Sequence, residues 1–159
     1  MAVIGSRDAN EDQLNFTQNI GKEIAFQGHS IVSGGARGVD QSAMMGALDN
    51  EGTAIGVMAD SLLKAASSAK YRKKIMTSDL VLITPFNPEA GFNVGNAMAR
   101  NRYIYCLSDA AIVISSTANK GGTWTGAIEN LKAAWVPLWV KKIENRESGN
   151  AILVKMGAS

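Results

Sequence analysis

Short apolar segments bounded by glycine, serine or proline constrain the fold of this 159-residue chain more than any other feature. They are rich in valine and isoleucine, and they do not alternate with polar residues. A strand that is apolar on both faces must be covered on both faces, which is typical of a parallel sheet between two layers of helices. We therefore expect strands at 2–5, 30–33, 54–58, 80–84, 110–115 and 135–140, and a weaker one at 151–155.

Helix-like segments separate these strands. Apolar residues recur at helical spacing within 11–27, 39–50, 94–107 and 124–134. Asn10 and Gln13 resemble a capping box before the first of these segments. The stretches 60–77 and 85–92 have no clear apolar face, and we expect loops or short helical turns there. Because alternating strands and helices form right-handed βαβ units, the sequence predicts a three-layer, Rossmann-like α/β fold with a mostly parallel sheet, built as one domain over 1–159.

Composition excludes several classes of protein. The net charge of +2 is too small to indicate nucleic-acid binding by itself. One histidine, His29, and one cysteine, Cys106, cannot build a His-based triad, a multi-His metal site or a disulfide framework. We expect His29 in a turn and Cys106 buried in a helix as a small apolar residue. No apolar run approaches the ~18 residues of a membrane span and no signal peptide is visible, so we expect a cytoplasmic protein without a metal or cofactor.

The glycine-rich turn at 33–40 is the strongest local signal, because it follows a predicted strand and opens a predicted helix. Its glycines would let the backbone bend beneath an anion, and the free N–H groups at the positive end of the helix dipole would point at that anion. Arg37 could add a bidentate phosphate contact, while Asp40 could cap the helix or hold Arg37 in place. The alternative is a tight turn whose glycines serve packing only. The predicted site residues of this turn are Ser33, Gly34, Gly35, Arg37, Gly38 and Asp40.

A second glycine turn, at 119–125, also lies between a predicted strand and a predicted helix. It contributes Lys120 for charge, Gly121 and Gly122 for backbone freedom, and Thr123 for a hydroxyl group. Neither turn has the spacing of a Walker A loop or of the GxGxxG fingerprint, which disfavours a P-loop ATPase and an NAD dehydrogenase. A simple turn followed by an N-cap is the alternative here.

Three clusters with basic residues complete the candidate site, and for the two that lie later in the chain an ordinary solvated surface is the alternative. Successive side chains on a helix point in different directions, so only one of Arg100 and Arg102 would line the binding crevice. A tyrosine among lysines and arginines could stack on a base while its neighbours neutralise phosphates. The clusters are Gly5, Ser6 and Arg7 after the first strand, Arg100, Asn101 and Arg102 in a predicted helix, and Lys70, Arg72, Lys73 and Lys74 around Tyr71.

These segments, taken in order, resemble the Rossmann-like core of the DNA-processing protein DprA (Smf) family. The resemblance rests on the pattern S-G-x-A-R-G-[IV]-D, present as SGGARGVD, and on the R-N-R element that follows it. The Tyr-Pro-Arg that is usual in the basic loop of the family is not present. The matching segments are GSR at 5–7, SGGARGVD at 33–40, LITP at 82–85, RNR at 100–102 and GGT at 121–123.

The resemblance implies a binding protein rather than an enzyme. Family members bind single-stranded DNA and help to load the RecA recombinase onto it during natural transformation, so RecA would be a partner in DNA uptake and recombination. Carried over by motif, Arg37 with its glycines, the R-N-R element and the GGT turn would bind phosphates. Many members carry a helical domain before this core and a winged-helix-like domain after it, which leaves homodimerisation and RecA contact open for the core.

The wider superfamily supplies two alternatives. LOG-type nucleotide phosphoribohydrolases carry P-G-G-x-G-T-x-x-E, whereas here the proline is missing, Trp124 replaces a glycine and Glu129 falls one residue late. One residue rotates a helical side chain by about 100 degrees, since a turn holds ~3.6 residues, and this argues against the enzyme. The other alternative is a module that binds or senses a nucleotide, with one phosphate in the same pocket.

Overall fold

Six parallel strands form the central sheet of the computed structural model, which describes residues 1–143, 145 and 148–159. The strands are β1 (Ala2–Ile4), β2 (Ile31–Ser33), β3 (Ala54–Val57), β4 (Leu80–Ile83), β5 (Ala111–Val113) and β6 (Leu138–Val140). Their order across the sheet is β4-β3-β2-β1-β5-β6, and each neighbouring pair is parallel. The six main predicted strands and the Rossmann-like α/β fold are confirmed.

Helices connect these strands. Within the described residues they are α1 (Glu11–Phe26), α2 (Val39–Leu48), α3 (Leu62–Ser67), α4 (Ala69–Met76), α5 (Val94–Cys106), α6 (Gly121–Ala133) and α7 (Gly149–Lys155). The four predicted helices are confirmed within a few residues of their expected bounds. The stretch 60–77 forms the short helices α3 and α4, and 85–92 is a loop. No helix in the described part of the chain has the length and apolar character that a membrane span requires.

The predicted strand at 151–155 is wrong, because this segment forms α7. The Ser148 hydroxyl accepts a hydrogen bond from the N–H of Ala151 at 3.2 Å and so caps the helix. Leu153 is fully buried, and the side-chain amide of Asn150 donates to the carbonyl of Ile114 at 3.0 Å. The periodicity of such a short apolar segment does not distinguish a helix from a strand. Here the helix cap and the packing of one helical face stabilise the helix.

Helices cover both faces of the sheet and produce the three predicted layers. On one face, α1, α2 and α4 pack over a core that contains Ile24, Met44 and Tyr71. On the other face, α5, α6 and α7 pack over a second core. Gly21 of α1 and Gly46 of α2 allow these two helices to approach closely, because a Cβ atom at either glycine would collide with the backbone of the other helix.

Cys106 is exposed, so the prediction of a buried cysteine is wrong. It lies in the last turn of α5, where Ile104 and Tyr105 take the inward positions. Because successive helical side chains are rotated by about 100 degrees, the residue after this buried pair turns towards solvent. His29 is exposed and follows α1 in a turn, as expected.

The strand order reverses between β1 and β5, which are neighbours in the centre of the sheet. From β1 the chain runs outwards to β4, and it then returns to the opposite side of β1. At such a reversal the connecting segments leave adjacent strands in opposite directions and open a crevice beyond the carboxyl ends of the strands. Both glycine turns lie at this edge, since they follow β2 and β5.

The capping box of α1 provides a test of the local structure. The Asn10 side chain accepts from the N–H of Gln13 at 2.9 Å, and the Gln13 side chain accepts from the N–H of Asn10 at 3.2 Å. We expect Asn10→Ala to lower the free energy of unfolding by about 1 kcal/mol. Asn15→Ala, at an exposed position of the same helix, should not lower it, because alanine is the better helix former. Equal losses in urea unfolding would contradict the cap.

Candidate functional site

A cavity of about 590 Å³ lies at the reversal of strand order, beyond the ends of β1 and β5. The N-terminal half of α5, the first turn of α6, Phe92, and Ala36 and Asp40 near the start of α2 form its other walls. Residues that are far apart in the chain therefore meet here. The predicted site residues that line it are Gly5, Ser6, Arg7, Asp40, Arg100, Asn101, Lys120, Gly121, Gly122 and Thr123.

A second cavity, of about 220 Å³, lies beside the first. The first glycine turn forms one of its walls, and the segment after β3 forms another. Because Arg7, Phe92 and Arg100 line both cavities, the two are adjacent, and we call them together the switch-point cleft. The predicted residues that only the second cavity contains are Gly34, Gly35 and Arg37.

Asp40 is buried behind the first glycine turn, with 4% of its surface exposed. Its carboxylate accepts a hydrogen bond from the N–H of Gly34 at 3.1 Å, and the N–H groups of Ala36 and Gly5 lie near it. Burial raises the pKa of this carboxyl group, while the Arg100 guanidinium and the three N–H groups oppose the rise. The N–H of Gly34 is therefore held by an internal carboxylate, and at the start of α2 the N–H of Val39 donates to the carbonyl of Ser6 at 3.3 Å, so neither of these groups points at an external anion.

Arg37 points away from Asp40 and pairs with Asp8, with 2.7 Å between Nη2 and Oδ1. The prediction that Asp40 holds Arg37 in place is wrong, because Asp40 faces the backbone of the turn. The side chains of Arg37 and Asp8 are 73% and 80% exposed, so water screens their attraction and the pair contributes little to stability. A phosphate could therefore replace Asp8 as the partner of Arg37.

Arg100 and Arg102 lie on different faces of α5, as the sequence predicts. Arg100 is 4% exposed, and its Nη1 donates to the carbonyl groups of Gly34 and Val57. Burial lowers the pKa of Arg100, and the nearby carboxylate of Asp40 opposes this shift. Arg102 is exposed and lies outside the lining of both cavities.

The second glycine turn opens α6 at the larger cavity. Gly121 has a φ of +84°, in the left-handed region that favours glycine. The N-cap residue, Lys120, is exposed, and its side chain makes no capping bond within the described residues. The Thr123 hydroxyl donates to the carbonyl of Gly5 at 3.1 Å, which joins this turn to the end of β1.

Several predicted site residues hold the walls of the cleft together. Gly38 has a φ of +84°, and a Cβ atom there would lie 2.5 Å from the carbonyl oxygen of Ser6, so this position requires glycine. The supporting hydrogen bonds run from Ser33 Oγ to the carbonyl of Val3 at 2.6 Å, from Asn101 Nδ2 to the carbonyl of Gly122 at 3.0 Å, and from the N–H of Ser6 to Ser115 Oγ at 3.2 Å.

The basic residues of α4 lie outside the lining of both cavities. Lys70 is nevertheless connected to the first glycine turn through Gln41. Its Nζ donates to Gln41 Oε1 at 2.7 Å, and Gln41 Nε2 donates to the carbonyl of Gly35 at 3.2 Å. The others are Arg72 and Lys73, which are exposed, and Lys74, which donates to the carbonyl of Leu48.

Phe92 and Asp8 are two cleft residues that sequence reasoning missed. Phe92 is 57% exposed, and Arg7 lies over its ring with Cζ 4.9 Å from the ring centroid. A signal for Phe92 did exist, because 85–92 was expected to leave a strand end, and such loops border the crevice of an open α/β sheet. Nothing in the sequence near Asp8 indicated that it would pair with Arg37.

The fold and the cleft define a Rossmann-like α/β protein with a positively charged crevice at its topological switch point. The model of the family described as DNA recombination-mediator protein A matches residues 1–159. The chain belongs to this family.

Three relatives illustrate the membership. The putative DNA processing protein DprA of Mycobacterium tuberculosis is 30% identical over 129 residues, which cover 79% of this chain and 33% of that protein. The chain thus spans about a third of the length of the curated relatives it matches. DNA processing protein A from Helicobacter pylori is 28% identical to this chain, with a TM-score of 0.79. The match covers 99% of this chain and 73% of that chain, and a single-stranded DNA binding mode is described for that protein. DNA processing protein A from Streptococcus pneumoniae has the same TM-score at 22% identity, covers 99% and 56% respectively, and shows a shared fold.

Asp40 and Asp8 are suited to a matched test of the site, because Asp40 is a buried carboxylate near the buried Arg100, whereas Asp8 forms an ion pair with the exposed Arg37. Asp40→Ala would leave Arg100 buried without a counter-charge, and we expect it to lower the free energy of unfolding by about 3–5 kcal/mol. Asp8→Ala breaks an exposed ion pair and should change that energy by less than about 1 kcal/mol. Urea unfolding measures both. A small loss for Asp40→Ala would show that the buried pair does not hold the turn.

Proposed function

We propose that this chain binds single-stranded DNA along the switch-point cleft, through the phosphates of the strand. The observation that carries the proposal is the convergence of the exposed cations Arg7, Arg37 and Lys120 on one cleft, which the N-terminus of α6 also borders. Membership of the family and the DNA binding described for the Helicobacter pylori relative support this choice of ligand.

Backbone phosphates suit this set of groups. Arg7 and Arg37 can each offer a planar, bidentate contact, and Lys120 offers a point charge beside the first N–H groups of α6. Contacts of this kind carry no base information, so binding should tolerate different sequences. They also release counterions from the strand, so the affinity should fall as salt is added.

Phe92 explains why the ligand would be a single strand. Its exposed ring lies at the boundary of the two cavities, where a base could stack on it while Arg7 holds the neighbouring phosphate. A duplex keeps its bases stacked on one another, and their faces are not available to an external ring. Stacking on Phe92 therefore favours single-stranded over double-stranded DNA.

The basic residues of α4 extend the proposed path. Lys70 is linked to the first glycine turn by hydrogen bonds through Gln41. Arg72 and Lys73 continue the positive surface along α4. A strand that leaves the cleft past Gly35 would meet these side chains next. Their contribution would be electrostatic and without sequence preference.

The process we propose for this activity is DNA uptake and recombination. The domain would hold single-stranded DNA in the cytoplasm while RecA is loaded onto it, and the description of the family as a recombination mediator supports this role. Contact with RecA, and with a second copy in a homodimer, would use other surfaces, because the cleft is then occupied by DNA.

A nucleotide is the second candidate ligand, and the volume of the larger cavity favours it. About 590 Å³ falls within the range of small-molecule sites. Glu129, the acid of the LOG pattern, lies outside the lining of both cavities, which supports binding or sensing rather than cleavage. A panel of nucleoside monophosphates should then raise Tm. No shift with any of them would remove this candidate, and release of free base would favour the enzyme.

Titration of a labelled oligo-dT, followed by fluorescence anisotropy at several salt concentrations, tests the proposed DNA site. We expect tighter binding to oligo-dT than to a duplex. Arg7→Ala should weaken binding and reduce the slope of log affinity against log salt by about 0.7, the value for one phosphate contact on a single strand. Lys132→Ala, an exposed cation in the last turn of α6 and outside the cleft, should leave both quantities unchanged.

Arg37→Ala is the decisive variant for the first glycine turn. Unchanged affinity in this variant would remove the turn from the DNA site. Equal effects of Lys132→Ala and Arg7→Ala would indicate non-specific attraction to a positive surface instead of a cleft.

Phe92 offers a separate test of base stacking. Phe92→Ala should weaken oligo-dT binding by about 1–3 kcal/mol, the range for one stacked base, with little change in the salt slope. Phe26→Ala is a close control, since Phe26 is also exposed and also lies beneath a cation, with Lys22 Nζ 5.3 Å from its ring centroid. A loss of affinity common to both variants would argue against stacking in the cleft.

A further inference from the structure

Arg100 connects the first glycine turn to the end of β3 from within the protein. We propose that Arg100 is a positioning residue for DNA binding, which fixes this turn so that Arg37 meets the strand, and that Arg100 does not itself contact phosphate. The inference rests on the proposed function, because the turn that Arg100 positions belongs to the proposed DNA site.

The hydrogen bonds of Arg100 span two neighbouring strands. Its Nη1 donates to the carbonyl of Gly34, directly after β2, and to the carbonyl of Val57, the last residue of β3. The guanidinium itself comes from α5, on one face of the sheet. One buried side chain thus fixes the turn relative to the adjacent strand end and to a helix.

Asp40 completes the arrangement from the opposite side. Its carboxylate accepts from the N–H of Gly34 at 3.1 Å, while Arg100 binds the carbonyl of the same residue. Both backbone polar groups of Gly34 are therefore held by buried, oppositely charged side chains. The N–H groups of Ala36 and Gly5 also lie near this carboxylate, so the end of β1 is adjacent to the same network.

The glycine at position 34 is independent evidence for this network. A Cβ atom there would collide with the guanidinium of Arg100 and with the carboxylate of Asp40. Gly35 and Gly38 have φ values of +65° and +84°, whereas Gly34 does not adopt the left-handed region. The absence of a side chain at Gly34 thus serves the charged pair, and no unusual backbone conformation requires it.

Accessibility separates Arg100 from the arginines that can bind a strand. Arg7 and Arg37 are exposed at the cleft, whereas Arg100 has 4% of its surface exposed. Its Nη1 already binds two carbonyl groups, and its Nε is buried without a hydrogen-bond partner among the described residues. Arg100 borders both cavities but exposes only 4% of its surface to them, so contact with the strand falls to the exposed Arg7 and Arg37.

The wild-type protein permits the first test. The Nε–H signals of its arginines can be followed by nitrogen-15 NMR while oligo-dT is added. We expect the signals of Arg7 and Arg37 to move and that of Arg100 to stay in place. Movement of the Arg100 signal as large as that of Arg7 would overturn the inference and leave the proposed function standing. If oligo-dT does not bind and no signal moves, the proposed function fails instead.

Two variants test the mechanism. Arg100→Lys keeps the charge but lacks the planar fork, and Gly34→Ala keeps every charge but displaces the buried pair. Each should weaken oligo-dT binding roughly tenfold, within the range for coupled neighbours. In an Arg37→Ala background the same two changes should each cost less than about twofold, because the turn then carries no cation to position. In an Arg7→Ala background their full effect should remain.

The double-mutant cycles separate positioning from direct contact. A phosphate ligand at position 100 would keep most of its affinity as lysine, and its loss would add to that of Arg37→Ala. That pattern would overturn the inference. Circular dichroism and thermal melting check that each variant is folded, and the wild-type NMR titration decides the question if neither variant folds.

Discussion

The strands of this protein are apolar on both faces, and this constraint places the polar chemistry of the domain at one edge. Helices must cover both faces of such a sheet, so charged groups are left for the helix surfaces and the connecting loops. Because the strands are parallel, their carboxyl ends lie along the same edge, and the loops that follow β1, β2, β3 and β5 meet there. Arg7, Arg37 and Lys120 are far apart in the chain, yet they converge on one cleft for this reason.

Burial divides the charges of that edge into two groups with different physical behaviour. Asp40 and Arg100 lie inside, each bound to a backbone group of Gly34, and removing either one would leave the other charge uncompensated in a medium of low polarity. Arg37 pairs with Asp8 at the solvent-exposed surface, where replacing one partner by another changes the free energy only slightly. The buried charges therefore determine the shape of the edge, and the exposed charges are available to a ligand.

The sequence predicted the architecture well because hydrophobic periodicity and turn residues are local signals. Six strands, four helices and the capping box of α1 were all recognisable in this way. The segment of α7 was mistaken for a strand because a short run of isoleucine, leucine and valine fits either structure until its cap and its packing are known. The position of Arg100 at the first glycine turn could not be predicted for a different reason. Arg100 lies 66 residues after Gly34, and no local pattern relates the two.

The overall charge of +2 does not describe this edge, where positive charge is concentrated but not unopposed. Asp8 lines the larger cavity and Asp60 lines the smaller one, so each carboxylate lies among the cations of the cleft. They reduce the net attraction that any polyanion would feel. A ligand then gains most if it can replace Asp8 at Arg37 and also place an aromatic face on Phe92. A duplex can do only the first of these, because its base faces are already covered. In the proposed DNA site, the acidic residues would thus favour selectivity for single strands over simple attraction to negative charge.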